Sequence, residues 1–193
     1  MKRIIALFLL LGMNVGLVCG CQQKEAGAEP TTEPPQVPTI EIGDPILTTF
    51  TAMDMDKNPV DQQILSGHKL TMINVWGTFC DPCIREMPDL GELSSAYGDD
   101  FQILGIVIDA TDRNLQTLPE KIAKAKEIIS TTHADYLHVL PSASLNKAFL
   151  SEVSSVPTTI FVDENGNQVG DTYIGIKEKA QWQQIIEDLL RQL

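Results

Sequence analysis

The stretch that decides the fold is WGTFCDPC, residues 76–83, which directly follows the apolar run LTMINV at residues 70–75. The apolar run predicts a buried strand, and the cysteine pair then falls at the start of the next helix. Free N–H groups and the helix dipole favour a thiolate there, so we expect Cys80 to be exposed and nucleophilic. Cys83 lies one turn further on and can resolve a mixed disulfide. The motif therefore predicts a dithiol redox enzyme.

The N-terminal segment has the features of a secretory signal. Residues 1–20 begin with two basic residues and continue as a short apolar run, too short to indicate a permanent membrane helix. The run ends in the small residue Gly20 before Cys21, which resembles a bacterial lipobox. We therefore expect a lipoprotein signal peptide at 1–20, lipidation of Cys21 and an extracytoplasmic protein anchored to a bacterial membrane by its lipid. The alternative is an ordinary secretory signal or an uncleaved anchor.

Cleavage before Cys21 would leave Cys80 and Cys83 as the free thiols among the four cysteines of the chain. A disulfide that closes so short a loop contributes little loop-closure entropy. In an oxidising compartment, a single pair of cysteines at this spacing therefore indicates a working redox couple more than a structural disulfide.

Composition divides the remaining chain into a tether and one domain. Residues 21–43 are rich in Glu, Pro and Thr, which predicts a flexible, extended tether. Residues 44–193 are long enough for one domain with a single core. The formal net charge of −12 and the lack of a basic cluster exclude nucleic-acid binding.

Strand and helix patterns alternate through this domain, which predicts an α/β fold with a mixed sheet. The predicted strands are residues 46–53, 70–75, 101–108, 136–140, 158–162 and 168–173, with a polar turn at 54–67 and a hairpin turn at Asn165-Gly166. Predicted helices run from the cysteine pair to about Tyr97, from Pro119, over 144–149 and from about Lys177. The apolar residues predicted to pack the last helix on the core are Trp182, Ile185, Ile186, Leu189 and Leu193.

This order of elements, with the cysteine motif, resembles the thioredoxin superfamily and is most similar to the exported TlpA/ResA-like thiol–disulfide oxidoreductases. The resemblance implies a thioredoxin-like fold, in which a central mixed β-sheet is flanked by helices and carries a TlpA/ResA-type helical insertion between the strands at 101–108 and 136–140. It makes Cys80 the attacking nucleophile and Cys83 the resolving thiol. It also makes Val156 and Pro157 a cis-proline loop that opposes the thiols and offers backbone groups to an extended substrate.

Residues around the cysteines predict how the pair is tuned. Pro82 suits a first helical turn and should stiffen the ring that the disulfide closes. Asp81 places a carboxylate beside the thiols, which should raise their pKa values and make the couple a reductant. Trp76 is either a flat wall for the substrate or a core residue. Plain thioredoxins carry a buried aspartate where this chain has Asn74. Glu86 matches a ResA-like glutamate and is our candidate to take the proton of Cys83.

The resemblance also implies partners. The substrates would be disulfide-bearing exported proteins, such as apocytochrome c or methionine sulfoxide reductases. No Gly-rich phosphate loop follows a strand, so we expect no cofactor besides the Cys80–Cys83 disulfide itself. Electrons would come from a membrane thiol transporter of the CcdA/DsbD type, and we expect a monomer.

The same residues suggest three other interpretations of the protein. The protein could be an oxidase that donates its disulfide, or a non-catalytic tethered binding module in which Cys80–Cys83 is a structural clip. A zinc site formed by the cysteine pair with His133 and His138 has superficially suitable ligands, but the long gap between the two pairs and the proline inside the first pair fit it poorly. We therefore expect no metal.

Overall fold

The computed structural model describes residues 42–193, so the predicted signal peptide, Cys21 and nearly all of the tether lie outside the described residues. No helix in the described part of the chain is long and apolar enough to cross a membrane. The first strand begins at Ile42, just before the domain boundary predicted at residue 44.

Nine strands and four α-helices form the domain. The strands are β1 (Ile42–Pro45), β2 (Thr51–Met53), β3 (Pro59–Asp61), β4 (Leu70–Trp76), β5 (Phe101–Val107), β6 (Leu137–Val139), β7 (Thr158–Asp163), β8 (Asn167–Val169) and β9 (Tyr173–Ile174). The helices are α1 (Asp81–Ser94), α2 (Pro119–Thr132), α3 (Ala143–Ala148) and α4 (Lys179–Leu190). Short 3-10 turns occupy Gln62–Leu65, Gly98–Asp100 and Leu150–Glu152.

Seven of the strands form one mixed sheet in the order β1-β8-β7-β4-β5-β6, with β9 paired to β7, while β2 and β3 form a separate hairpin. Strands β4, β5 and β6 run parallel, so their carboxyl ends share one edge of the sheet. Strand β7 runs antiparallel to β4, and Thr158 pairs with Val75. The loop before β7 therefore meets the end of β4, where the cysteine motif begins. This mixed sheet with flanking helices confirms the predicted thioredoxin-like α/β fold.

Helices cover both faces of the sheet. One face carries α1, α2 and α4, and its core joins Leu70, Met72 and Phe161 of the sheet to Leu90 of α1 and Trp182 of α4. On the other face, alternate residues of the same strands pack against α3 and the segment around Leu47 to Leu65. Strands β4 and β7 are buried along their whole length, as strands covered on both faces should be.

Several element boundaries differ from the predictions. Only Thr51–Met53 of the strand predicted at 46–53 is extended within a sheet, because Ile46 and Leu47 donate their N–H groups to the Gly166 carbonyl instead. The region predicted as a polar turn contains strand β3. The predicted hairpin at Asn165-Gly166 is confirmed, with Val162 paired to Gln168. Its second strand breaks after Val169, because Gly170 has a φ of 69°.

The final helix follows its prediction at Trp182, Ile186 and Leu189, which are buried. Leu193 was predicted to join them and does not: it lies beyond the end of α4 and is 45% exposed.

Candidate functional site

The cysteine pair lies at the N-terminus of α1 and is closed as a disulfide, with the two Cα atoms 5.3 Å apart. Cys80 is the residue that caps the helix, and its Sγ accepts the N–H of Cys83 at 3.2 Å. A turn closed by the Cys80 N–H and the Gly77 carbonyl, 3.0 Å apart, joins strand β4 to the helix. The helix N-terminus therefore points its free N–H groups at the sulfur of Cys80, as predicted.

The prediction that Cys80 is exposed is wrong for the oxidised protein. Cys80 is 5% exposed and Cys83 2% exposed, and both belong to the core cluster formed with Trp76, Met87 and other buried residues. In the disulfide both sulfurs belong to this cluster. Phe79, directly before Cys80, is 64% exposed instead. The positions of Cys80 at the N-cap and Cys83 inside the first turn still agree with an outer and an inner thiol.

An ion pair holds the loop that leads into Cys80. Asp109, just beyond β5, accepts the Thr78 N–H at 2.9 Å and the Thr78 hydroxyl at 2.6 Å. Lys121 of α2 lies 2.9 Å from the same carboxylate. Burial alone would raise the pKa of Asp109, but the Thr78 hydrogen bonds and Lys121 hold it below its ordinary value. The carboxylate therefore stays ionised and ties the cysteine loop to α2.

Glu86 lies one turn beyond Cys83 and is 1% exposed, so it is a buried carboxyl and not a solvated residue on the outer face of the helix. Its Oε1 accepts two hydrogen bonds of 2.8 Å, from the Lys177 backbone N–H and from Nε1 of Trp182. Its Oε2 is buried and has no hydrogen-bond partner among residues 42–193. The carboxyl group is thus fixed through one oxygen and left free at the other.

Burial raises the pKa of Glu86 above its ordinary value, because desolvation disfavours the carboxylate. The two N–H donors and the Lys177 charge oppose this effect in part. The Lys177 ammonium itself lies 5.6 Å from the centre of the Trp182 ring and 5.2 Å from that of Tyr173. A carboxyl with a raised pKa inside the core takes up a proton more readily than an ordinary glutamate, which suits it to exchanging a proton with a neighbouring group.

The Val156–Pro157 peptide bond is cis, which confirms that part of the expectation. Val156 packs against the cluster that contains both cysteines, so the loop lies beside the disulfide. The Pro157 carbonyl accepts the N–H of Gly175 at 2.9 Å, which leaves it already engaged within the protein. The exposed side chains of Ile174 and Ile176 flank that glycine.

Trp76 is a core residue, which is the second of the two roles that the sequence suggests for it. It is fully buried, so in this structure its ring offers no surface to a substrate. Its Nε1 donates to Nδ1 of His138 at 3.1 Å, while Nε2 of His138 lies 3.0 Å from the Ala134 carbonyl. Burial lowers the pKa of His138 to about 4, so the ring is neutral at physiological pH. Both ring nitrogens are used by the fold, which leaves neither as a free metal ligand.

The remaining predicted residues take surface or framework positions. Asp81 is the first residue of α1 and is exposed, where its charge interacts favourably with the helix dipole. Pro82 follows in the same first turn, as predicted. Asn74 is buried and donates to the Thr159 hydroxyl at 3.1 Å. Its position inside the sheet therefore holds a neutral hydrogen bond.

Sequence reasoning missed Asp109, Lys121, Lys177 and Tyr136. Asp109 had a usable signal, since it follows a buried parallel strand at the edge where the cysteine motif must lie. Lys177 and Tyr136 had none, because their contacts depend on how α4 and β6 pack against α1.

Comparison with known proteins gives the family. The Redoxin family profile matches residues 41–185. Among curated relatives, the thioredoxin-like protein YneN of Bacillus subtilis is 25% identical over 119 residues, covering 62% of this chain and 64% of YneN. The thiol–disulfide oxidoreductase ResA of Bacillus thuringiensis is 27% identical over 141 residues, covering 68% of this chain and 69% of ResA. The chain thus spans about two thirds of the length of these relatives.

Solved structures agree on the fold. A thioredoxin-family thiol:disulfide interchange protein from Chlorobium tepidum superposes with a TM-score of 0.61 at 24% identity, covering 74% of this chain and 93% of its own. StoA from Bacillus subtilis gives a TM-score of 0.55 at 17% identity, covering 73% and 98% of the two chains. With the profile match and the disulfide at the start of α1, the chain belongs to the Redoxin family of thioredoxin-like oxidoreductases.

Proposed function

We propose that the protein is a membrane-tethered, extracytoplasmic thiol–disulfide oxidoreductase that reduces disulfides in exported proteins. The observation that carries the proposal is the Cys80–Cys83 disulfide at a helix N-terminus, with the Val156–Pro157 loop beside it and a buried carboxyl one turn behind it. The resemblance to ResA, which is named a thiol–disulfide oxidoreductase, supports the same chemistry.

The reaction proceeds in two exchanges. The Cys80 thiolate attacks one sulfur of the substrate disulfide, which forms a mixed disulfide and releases the first substrate thiolate. Glu86 then takes the proton of Cys83, and the resulting thiolate attacks the Cys80 sulfur. The second substrate thiolate leaves, and the Cys80–Cys83 disulfide is restored. Two electrons have passed from the enzyme to the substrate.

Apolar side chains near the disulfide provide a surface for an unfolded or extended substrate. Phe79, Ile174 and Ile176 are exposed on the two segments that carry Cys80 and flank the Pro157 loop. Because the Pro157 carbonyl is already bonded to Gly175, the backbone of Val156 is the group we assign to pairing with the substrate chain. Exposed apolar residues in this position favour a polypeptide over a small polar disulfide.

The direction of transfer rests on Asp81. Its negative charge at the start of α1 opposes the formation of thiolates, and strong dithiol oxidants depend on a stabilised reduced form. We therefore assign the pair to disulfide reduction, with apocytochrome c and methionine sulfoxide reductases as candidate substrates. A membrane thiol transporter of the CcdA/DsbD type would return the pair to its reduced state, and lipidated Cys21 would hold the enzyme at the membrane.

Trapping tests this function. The Cys83→Ala variant keeps the nucleophile and loses the resolving thiol, so it should accumulate mixed disulfides that mass spectrometry can identify. Cys80→Ala is the matched control and should trap nothing, because the remaining thiol is the inner one. Exported proteins bound through Cys80 support the proposal; an absence of any mixed disulfide with Cys83→Ala contradicts it.

The low exposure of the oxidised pair favours a second candidate, a tethered binding module in which Cys80–Cys83 is a structural clip. The two functions differ in the reduced protein. A redox enzyme should exchange rapidly with a model disulfide and regain its own, whereas a clip would keep Cys80 shielded and react slowly.

Glu86→Gln tests the acid–base assignment separately. The amide keeps an oxygen for Lys177 and Trp182 but cannot accept a proton, so resolution of a preformed mixed disulfide should slow by about 10²-fold or more and lose the pH dependence that titration of Glu86 gives it. An unchanged rate and pH profile would remove Glu86 from the mechanism while leaving the two cysteines in place.

A further inference from the structure

Two buried oxygen atoms near the resolving cysteine lack hydrogen-bond partners. They are Glu86 Oε2 and the Tyr136 hydroxyl; the Tyr97 hydroxyl and Gln192 Oε1 are the other such atoms in the part of the chain that the structure describes. Buried polar groups are almost always paired, and leaving one unpaired costs about as much as a lost hydrogen bond. Each of the two atoms near the cysteine therefore calls for a partner.

The two groups also lie in the same region of the core. Tyr136 precedes β6 and packs against two clusters, the one that contains Cys83 and the one that contains Trp182, which binds Glu86. Burial raises the pKa of the Tyr136 phenol, and the charge of Glu86 adds to this effect. The phenol thus packs against the neighbours of both the inner cysteine and the Glu86 carboxyl.

The hydrogen bonds that Oε1 already accepts decide which oxygen of Glu86 can receive the proton. Oε1 already accepts two N–H groups, from Lys177 and Trp182, and both of its lone pairs are occupied. A proton arriving from Cys83 must therefore bind Oε2. This atom has to act as an acceptor when Glu86 is ionised and as a donor when it is protonated.

A hydroxyl or a water molecule can satisfy Oε2 in both states, whereas an N–H group could satisfy only the ionised one. The two unpaired oxygens are both in need of a partner, and a single buried water with polar neighbours on either side would serve both. An aliphatic residue at position 136 would remove a partner from both states, and the charged carboxylate would lose more than the neutral acid, because hydrogen bonds to charged groups are stronger.

We propose that a buried water molecule links the Tyr136 hydroxyl to Glu86 Oε2, and that Tyr136 is thereby a positioning residue for the proton transfer between Glu86 and Cys83. The inference deepens the proposed function and rests on it. On resolution, the Cys83 proton moves to Oε2, which then donates to the water, while the Cys83 thiolate attacks Cys80. When a reductant reopens the disulfide, the Cys83 thiolate leaves and regains the proton from Oε2.

Other charged groups around Glu86 are accounted for. Lys177 lowers the pKa of the carboxyl and Asp89 raises it. His138, whose ring lies 4.4 Å from that of Tyr136, is neutral at physiological pH and uses both nitrogens elsewhere. His138 therefore has no nitrogen left for Oε2, whereas the Tyr136 hydroxyl has no partner of its own among the described residues.

The test is the titration of Glu86 in the full chain carrying Tyr136→Phe. Carbon-13 NMR of labelled glutamate reports the carboxyl directly, and Glu86→Gln assigns its signal. Loss of the Tyr136 hydroxyl removes a hydrogen-bond partner that stabilises the Glu86 carboxylate. The Glu86 pKa should therefore rise by about one unit, and the pH profile of mixed-disulfide resolution should move with it. Tyr97→Phe is the matched control, because it removes a tyrosine hydroxyl packed beside Phe101 in the other cluster, and it should leave the titration unchanged.

A second measurement needs no variant. In the wild-type protein, a bound water should give a cross-peak to the ring protons of Tyr136 in a water-selective NMR experiment. The inference is overturned if Tyr136→Phe moves the Glu86 titration by less than about 0.2 unit. Failure of the acid–base role is a separate outcome, because an unchanged rate of resolution in Glu86→Gln would reveal it. The titration of the Glu86 carboxyl tests the link to Tyr136 whether or not Glu86 takes the proton of Cys83.

Discussion

Replacing Asp109 by asparagine should loosen the loop that carries Cys80. The carboxylate accepts the Thr78 N–H on one oxygen and, on the other, the Thr78 hydroxyl and the Lys121 ammonium. Asparagine is the same size but has a single oxygen and no charge. Whichever way its amide is turned, an NH₂ group faces a donor that the aspartate satisfied.

The size of the effect follows from these contacts. Hydrogen bonds to a charged acceptor contribute about 1.5–3 kcal/mol each, against about 0.5–1.5 kcal/mol for neutral ones, so two weakened bonds cost about 2 kcal/mol. The Lys121 pair adds less than about 1 kcal/mol, because the lysine is 36% exposed and the charge is screened. We expect the free energy of unfolding of Asp109→Asn to fall by about 2–3 kcal/mol at pH 7.

The loss should depend on pH in a defined direction. The pKa of Asp109 in the folded protein lies below its ordinary value of 3.8, so its stabilisation is present above that value and disappears as the pH falls through the folded pKa. Urea unfolding of the oxidised protein at pH 7 and at a series of pH values below 3.8 therefore measures both predictions. The difference between the wild type and the variant should be largest at pH 7 and should shrink as the pH falls below 3.8.

A double-mutant cycle identifies the contact responsible. Thr78→Val removes the hydroxyl and keeps the shape. The loss of unfolding free energy in the double variant should therefore be about 1 kcal/mol smaller than the sum of the losses in the two single variants. The reaction of reduced Cys80 with a model disulfide should also slow in Asp109→Asn, because the loop is less well held. A loss below about 0.5 kcal/mol at pH 7, or a loss that does not shrink as the pH falls below 3.8, would refute the reasoning.

Three further changes test other parts of the site. Gly105→Ala would place a Cβ 2.1 Å from Nδ1 of His138, the atom that accepts the Trp76 N–H. Urea unfolding should therefore show that the free energy of unfolding falls by about 3 kcal/mol, and a fall under about 1 kcal/mol would mean that the His138 ring can move aside. Trp182→Phe removes an N–H donor 2.8 Å from Glu86, so the carboxyl pKa measured by NMR should rise by about one unit, and a fall would contradict the assignment. Asp81→Asn should make the thiol couple more oxidising by roughly 15 mV in a glutathione equilibration, whereas a shift the other way would show that Asp81 does not oppose the thiolates.

The parts of the structure that follow from local chemistry were predictable from the sequence. An apolar run before a cysteine pair fixed the strand–helix junction at residues 76–81, and Asn165-Gly166 fixed the hairpin between β7 and β8. The family resemblance supplied the cis bond before Pro157 and pointed to Glu86. Each of these signals lies within a few neighbouring residues or in a recognisable motif.

The contacts that tune the site were not predictable, because they join distant parts of the chain. Trp182 was assigned to core packing, which is correct, yet it also donates a hydrogen bond to Glu86 across 96 positions of sequence. Asp109 holds Thr78 only because β4 and β5 are adjacent and end together. Cys80 was expected to be exposed from its place at a helix start, but in the oxidised protein it is 5% exposed and belongs to a core cluster whose other members come from distant parts of the chain.

The reduction potential of the Cys80–Cys83 couple tests the central claim most directly. Equilibration of the protein with glutathione or thioredoxin mixtures, followed by quantification of the free thiols, gives the value. A reductant for exported proteins should lie near the potential of thioredoxin, at about −270 mV, or below it. A potential near that of a strong oxidant, at about −120 mV, would contradict the proposed direction of electron transfer and assign the protein to disulfide donation.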